Sequence, residues 1–274
     1  MLEYVGHFLE TSNFLDAIRS EETVPTEAVT LAMSIDSTSV NIRRQGWRHA
    51  TAATISTYDA KGNRLDTVYI GRMPETSKRQ AKRLLEKEVA AKMAQQNYKY
   101  IVCIADGARD LWRYFQKKYP DTIHVVDFFH VCEHLSNLSN LLFDDHSQAK
   151  AWYKKYRTIL KEDPKGAAKT IRAARYRRSL IKKHPDIESE IKYLQHNRKR
   201  MTYFKLRQKK LPIGSGVVEA ACKNLIGARM KKSGMRWSIE GGQTVLTLRS
   251  IILSNRWDKF WSYFLWQHFS EVKT

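Results

Sequence analysis

The spacing of apolar positions changes character near residue 130. Before it, short apolar runs alternate with stretches of helical period; after it, helical spacing prevails. Two of the short runs, Thr30-Leu-Ala-Met-Ser-Ile-Asp36 and Tyr100-Ile-Val-Cys-Ile-Ala-Asp106, end on an aspartate, and Gly107 follows the second. Runs of this length bounded by turn residues read as buried strands. Each predicts a carboxylate at the end of a strand, where open α/β sheets keep their chemistry.

Residues 1–28 predict one amphipathic helix, Met1 to Ile18, and a polar connector containing Pro25. The pattern begins abruptly at the first residue, as expected of the later part of a longer reading frame. Residues 29–130 carry the alternating elements. The β-rich runs Ala50–Tyr58 and Arg64–Ile70 flank Ala60-Lys-Gly-Asn63, a hairpin signature, so the first three strands are expected to form an antiparallel meander. Pro74 and Ser77 introduce a helix over Lys78–Gln96, in which Ala81, Leu85, Val89 and Met93 form one buried stripe. The Asp106 strand follows, then a helix from Asp110 to Lys118, then a strand from Thr122 to Asp127 that Phe128 and Phe129 continue. The predicted class is α/β, and the order β-β-β-α-β-α-β is that of the RNase H fold.

Residues 131–212 read as an all-helical insertion broken at Pro164, Gly166 and Pro185. Residues 213–274 open on a Gly/Ser turn that delivers Glu219 onto a helix, pass through a basic loop from Arg229 to Ser238, and end in two apolar helices, Gly241–Ile252 and Trp257–Phe269, which complete the core.

Charge sharpens this picture. The formal net charge is +20, and Lys150 to Lys210 alone holds 21 Lys and Arg against 5 Asp and Glu. A polyanion is the expected partner, and nucleic acid fits best. Trp152, Tyr153, Tyr156, Tyr176, Tyr193, Tyr203 and Phe204 are interleaved with the cations, an arrangement suited to phosphate contact and base stacking, although such runs are more often plain solvated helix faces. The contacts expected to touch DNA are Lys154, Lys155, Arg175, Arg177, Arg178, Arg198, Lys199, Arg200, Lys223, Arg229, Lys231, Lys232, Arg236 and Trp237. Cys103, Cys132 and Cys222 are widely spaced and form no C-x-x-C pair, so a zinc ribbon and a disulfide framework are not indicated. No apolar run is long enough to span a bilayer, and the reading is of a soluble intracellular protein.

Asp36, Asp106 and Glu219 are the candidate chemistry. Phosphoryl transfer on DNA needs one oxygen activated and another stabilised, which two divalent ions do, and carboxylates are the natural ligands of hard Mg²⁺. Each acid also has a plain structural reading: Asp106 as a turn or cap residue before Gly107, and Glu219 as an i,i+4 partner of Lys223. The run His130-Val-Cys-Glu133-His134 matches the H-x-x-E-H pattern of zinc proteases, but it directly follows the Asp127 strand and such an enzyme has no need of a basic helical block.

The runs Ser34-Ile-Asp36-Ser-Thr, Ala105-Asp106-Gly-Ala, Asp127-Phe-Phe-His130 and Gly214-Ser-Gly-Val-Val-Glu219-Ala-Ala-Cys-Lys, with the later Met-Arg-Trp237, resemble the DDE transposases of bacterial insertion sequences, most closely the ISKra-type group of the Mutator-like assemblage. The resemblance covers about Val29 to Trp237. It implies an RNase H-like core with a helical insertion, cleavage and joining of DNA at transposon ends, and Asp36, Asp106 and Glu219 as ligands of Mg²⁺, with Mn²⁺ as a substitute. It further implies supporting roles for Asp127 and His130, a homodimer when ends are paired, no membrane or small-molecule cofactor, and a nucleoid-associated place in the bacterial cytoplasm. The chain departs from the pattern in carrying only about thirty residues before its first strand, which puts recognition of the terminal repeats in doubt. The alternatives are a non-catalytic nucleic-acid-binding remnant and a nuclease with the same two-metal site.

Overall fold

The computed structural model describes residues 5–6, 8–9, 12–179 and 184–272. The predicted helix over residues 1–18 falls partly outside them; helix is found at 5–6 and 8–9 and again in α1, Phe14–Glu21. The protein is mixed α/β. Five strands run in the order β-β-β-α-β-α-β: β1 Thr30–Ile42, β2 Gly46–Tyr58, β3 Arg64–Arg72, α2 Arg79–Gln95, β4 Tyr100–Ala105, α3 Arg109–Lys118 and β5 Ile123–Val126. Every later described element is helical: α4 Phe128–Leu142, α5 His146–Glu162, α6 Gly166–Ser179, α7 Pro185–Asn197, α8 Tyr203–Gln208, α9 Gly216–Ala221, a π-helical turn Cys222–Gly227, α10 Ala228–Met230, α11 Ile239–Leu253 and α12 Trp257–Val272, with single 3₁₀ turns besides. No described helix is long and apolar enough to cross a membrane.

The chain forms two compact units, residues 1–100 with 216–274, and residues 101–215. In the first, β1, β2 and β3 pair antiparallel as a meander, with Asp36 opposite Ala52, Ile42 opposite Gly46, and a register shift between Thr57 and Tyr58 where β2 meets β3. The turn into β3 is held by the Asp59 side chain, which accepts from the N–H groups of Lys61 and Asn63. Alternation sends Met33, Ile35, Ala53 and Ile55 to one face, and Asp36, Thr38, Val40, Ala50 and Ala52 to the other. On the second face the small Ala50 and Ala52 admit the Val218, Ala221, Cys222, Leu225 and Ile226 side of α9 and its π turn, which closes a core with Met73 and Leu246. A separate aromatic cluster joins Phe8, Phe14 and Phe260.

In the second unit β4 and β5 pair in parallel, Val102 opposite Ile123 and Ala105 opposite Val126, which is the outcome of a strand-helix-strand crossover. The helical block from α4 to α8 packs within this same unit. Pro185 stands at the first turn of α7, where its missing N–H costs nothing, behind a His184 side chain that caps Asp186.

Four local expectations are corrected. Asp36 is not at a strand end: β1 runs on to Ile42, because the hydroxyl and β-branched residues after Asp36 pair with a β2 that begins at Gly46 rather than Ala50. Phe128 and Phe129 do not extend β5; they open α4, because Asp127 accepts from the N–H groups of Phe129 and His130 and so caps a helix. Met93 leaves the buried stripe of α2 and is 45 % exposed, while Glu88 and Lys92 are buried. Arg229 and Met230 are helical, so the basic loop starts at Lys231.

Candidate nucleic-acid site

Asp36 and Glu219 line one open pocket of about 470 Å³ in the first unit, together with Ser37, Thr38, Cys222, Lys223, Gly227 and Lys231. Asp36 arrives there because every second residue of β1 faces the α9 side, and Glu219 because it lies three residues before Cys222, whose side chain packs into the core beneath. Asp36 Oδ1 accepts from the N–H of Ser37 at 2.6 Å, and Cys222 Sγ donates to Asp36 Oδ2 at 3.5 Å. The Cys222 thiol is pushed far up by burial, then by the negative charge of Asp36, with Glu219 adding in the same sense and Lys231 opposing. Both carboxylates are therefore felt at one point inside the pocket. Lys231 Nζ donates to the Thr38 hydroxyl and so fixes a cation at the pocket rim.

Immediately after Glu219 the helix loosens into a π turn, a feature that recurs at functional sites. Its carbonyls do not go unpaired: Arg249 on α11 donates to Leu225 O at 2.9 Å and to Asn224 O at 2.5 Å. Trp237 is half-buried against the same core, donates its indole N–H to Met230 O at 3.3 Å and carries the Arg229 guanidinium 5.1 Å from its ring centre. One of its faces is thus already occupied.

Asp106 belongs to the second unit, directly after β4. Its Oδ1 accepts from the N–H of Ala108 at 2.9 Å, so it does serve as a turn residue. Gly107 is required beside it, since a Cβ there would lie 2.2 Å from the Tyr193 ring. The Tyr193 hydroxyl is raised by burial first and then by Asp106, Asp127, Glu190 and Glu133, and its ring stacks on His134 at 3.5 Å. His134 Nδ1 is in turn held by Glu190 at 2.6 Å. The H-x-x-E-H run accordingly spends His134 on Glu190 and Tyr193, while His130 pairs with Glu133 at 3.3 Å.

Asp127 is fully buried, and besides capping α4 its Oδ2 accepts from the N–H of Ser215. Phe128 N–H donates to Ile213 O at 3.0 Å, and the Phe129 ring fills the space that a Cβ on Gly214 would need. Asp127 is thus built into the turn that precedes Glu219 in the chain, while the His130 ring is turned to Glu133.

Compared with known proteins, the chain matches no family model and no curated sequence. The site is therefore read from its own chemistry. Asp36 and Glu219 offer the all-oxygen donor set that a hard divalent ion takes, so the residues fit Mg²⁺ in kind. Among the described residues no three His, Cys, Asp or Glu are grouped closely enough to hold an ion by themselves.

The cations of the helical block divide into two sets. Lys154, Lys155, Arg175, Arg198 and Lys199 are exposed, as are Lys223, Arg229, Lys231, Lys232 and Arg236 in the first unit. Arg177, Arg178 and Arg200 are only partly so: Arg177 lies over Phe143 at 4.3 Å, Arg178 pairs with Glu188, and Arg200 lies over Trp112 at 4.4 Å. Among the interleaved aromatics, Tyr203 is wholly buried and donates to Val126 O, and Trp152 packs on Phe143 and Tyr156, whereas Tyr176 is 68 % exposed. No signal in the sequence linked Cys222 to Asp36 or Tyr193 to Asp106, because each pair is joined only through space.

Proposed function

We propose that the protein is a DDE transposase with an RNase H-like core, which cleaves phosphodiesters at transposon ends and joins the freed ends to target DNA. The observation that carries the reading is the single pocket walled by Asp36 and Glu219 and edged by Lys223 and Lys231. Two carboxylates alone would repel a phosphate; they suit one only when cations lie alongside and a divalent ion lies between. Bound Mg²⁺ would supply Lewis acidity at the scissile phosphate and a lowered pKa for water or a 3′-hydroxyl. Asp36 and Glu219 would hold it, and the resemblance to DDE transposases adds Asp106 to them as a third ligand. Lys223 and Lys231 would seat the flanking phosphates, and the exposed cations of the helical block would add contacts to the DNA backbone. The hydrogen bond from the Ser37 N–H orients the Asp36 carboxylate in this structure.

The test is Mg²⁺-dependent nicking and strand transfer on duplex DNA taken from both flanks of the protein's own coding sequence. Asp36→Asn and Glu219→Gln are each expected to slow nicking by at least about a hundredfold, the effect of losing a few kcal/mol of charge stabilisation, while DNA binding persists. Undiminished nicking by either variant removes the assignment. Hydrolysis without joining would identify a nuclease, and binding without cleavage by the wild type a non-catalytic remnant.

A further inference from the structure

Beyond Ile42 on one strand and Ala50 on the other, both buried, the β1–β2 hairpin projects free of the core: residues 43–49 are all exposed. This projection carries Arg43, Arg44, Trp47, Arg48 and His49. Trp47 is 62 % exposed, the most open tryptophan after Trp266 among the exposed large apolar side chains. None of the three arginines is ion-paired to a described residue; Arg48 donates only to the neighbouring Trp47 carbonyl at 3.1 Å. Nor is a carboxylate available nearby in sequence, since none occurs between Asp36 and Asp59.

The tip is held in shape by two devices. Gln45 N–H donates to Ile42 O at 3.1 Å, which closes a turn in which Arg44 sits at φ 62°, the left-handed region that ordinarily favours glycine. The loop after α10 is then bridged to the hairpin: Trp237 N–H donates to Asn41 O and Arg43 N–H donates to Trp237 O, both close to 3 Å. That loop brings Lys231, Lys232 and Arg236, and no acid lies between Glu219 and Glu240. A braced ribbon of cations with an open tryptophan therefore stands on the strand that also carries Asp36.

We infer that this hairpin tip is a DNA-docking ribbon that enters a groove of duplex DNA beside the Asp36–Glu219 pocket. A two-stranded ribbon fits a major groove about 12 Å wide. Alternation along β2 puts Arg48 on the face shared with Val40 and Asp36, and Trp47 and His49 on the opposite face, so the ribbon presents contacts to both walls of a groove. Arg43, Arg44 and Arg48 meet phosphates; Trp47 packs on sugar and base edges. The inference rests on the reading of that pocket as a DNA site, yet it is tested by binding alone.

The experiment measures fluorescence anisotropy of a fluorescein-labelled duplex, the matching single strand, and anionic phosphatidylglycerol vesicles, with the full chain and with Trp47→Ala and Arg43→Ala/Arg44→Ala/Arg48→Ala. Thermal melts of both variants should match the wild type, because every altered side chain is exposed. On duplex the triple variant is expected to bind at least tenfold more weakly, with a slope of log affinity against log salt that is shallower by about 3, as three lost phosphate contacts require. Trp47→Ala should weaken duplex binding severalfold with the salt slope unchanged. Duplex affinity and slope unaltered in the triple variant, or a loss confined to the single strand or to the vesicles, would overturn the inference. Cleavage by the wild type together with unaltered binding by the hairpin variants would defeat the ribbon alone, whereas wild type that binds and never cleaves would defeat only the transposase reading.

Discussion

Replacing Asp127 with alanine takes away, in one step, the acceptor for the N–H groups of Phe129, His130 and Ser215. These donors lie at a buried helix start and a tight turn. A lost cap and a stranded buried donor each cost about 1 to 2 kcal/mol, so Asp127→Ala should lower stability by about 2 to 4 kcal/mol in urea unfolding. Asp127→Asn keeps only one of the two accepting oxygens, so it should cost less than Asp127→Ala but not be neutral. Equal losses would mean that the position needs both oxygens as acceptors. Gly107 is constrained in another way, by the Tyr193 ring that lies where its Cβ would be. Gly107→Ala must displace that ring from His134 or move the backbone that carries Asp106.

Among elements, the first unit is tied together by a buried ion network. Glu88 on α2 accepts from Arg19 on α1 at 2.7 Å and from Arg256, just before α12, at 2.8 and 3.0 Å; Arg256 also pairs with Glu22. Burial alone would raise the Glu88 carboxyl, and the Arg256 and Arg19 guanidiniums outweigh it, so it lies below its ordinary value of 4.5. A carboxyl depressed on folding contributes stability that is present above its unfolded value and lost as pH falls through the folded one. The wild type should therefore lose stability on acidification below about pH 4.5. Glu88→Gln should flatten this part of the profile and cost about 1 to 3 kcal/mol at neutral pH, because Arg256 keeps Glu22 and Arg19 keeps Asp16. A variant whose acid limb matches the wild type would show that other carboxylates set it. The same logic explains α2 as an element: Glu75, three residues before its first 3₁₀ turn is complete, accepts from Gln80 and Ala81 N–H groups and starts the helix where Ser77 and Lys78 take left-handed angles.

For the whole molecule, +20 formal charges are spread over both compact units, with exposed cations on the helical block and on the hairpin and loop beside the Asp36 pocket. Binding to duplex DNA should weaken steeply with salt, by a slope of about 0.9 for each phosphate neutralised. Charge reversal of Arg175 and Lys199, both exposed, should reduce the slope, whereas Arg200→Ala should mainly lower the melting temperature, because Arg200 covers Trp112. A salt slope near zero for the wild type would contradict the phosphate-contact account of the charge.

The type and order of the elements were legible in the chain because they depend on short-range period. The apolar run of 30–36, the Gly-Asn hairpin, the four-residue spacing of Ala81, Leu85 and Val89, and the proline-punctuated basic helices each need only neighbours to be read. Element limits were less legible where side chains compete for the backbone. The Asp127 carboxylate turns a strand-like Phe-Phe pair into a helix start, and the hydroxyl-rich residues after Asp36 lack apolar alternation yet pair because β2 lies opposite. Tertiary structure alone decided which polar groups are committed and which are open. It buried Tyr203, laid Arg177 and Arg200 over aromatic rings, closed Asp36, Cys222 and Glu219 around one pocket, and left Arg43, Arg44, Trp47 and Arg48 in solvent. The physical reason is one of range: period selects a face within an element, but what covers that face is set by residues a hundred or more positions away, as Cys222 is to Asp36.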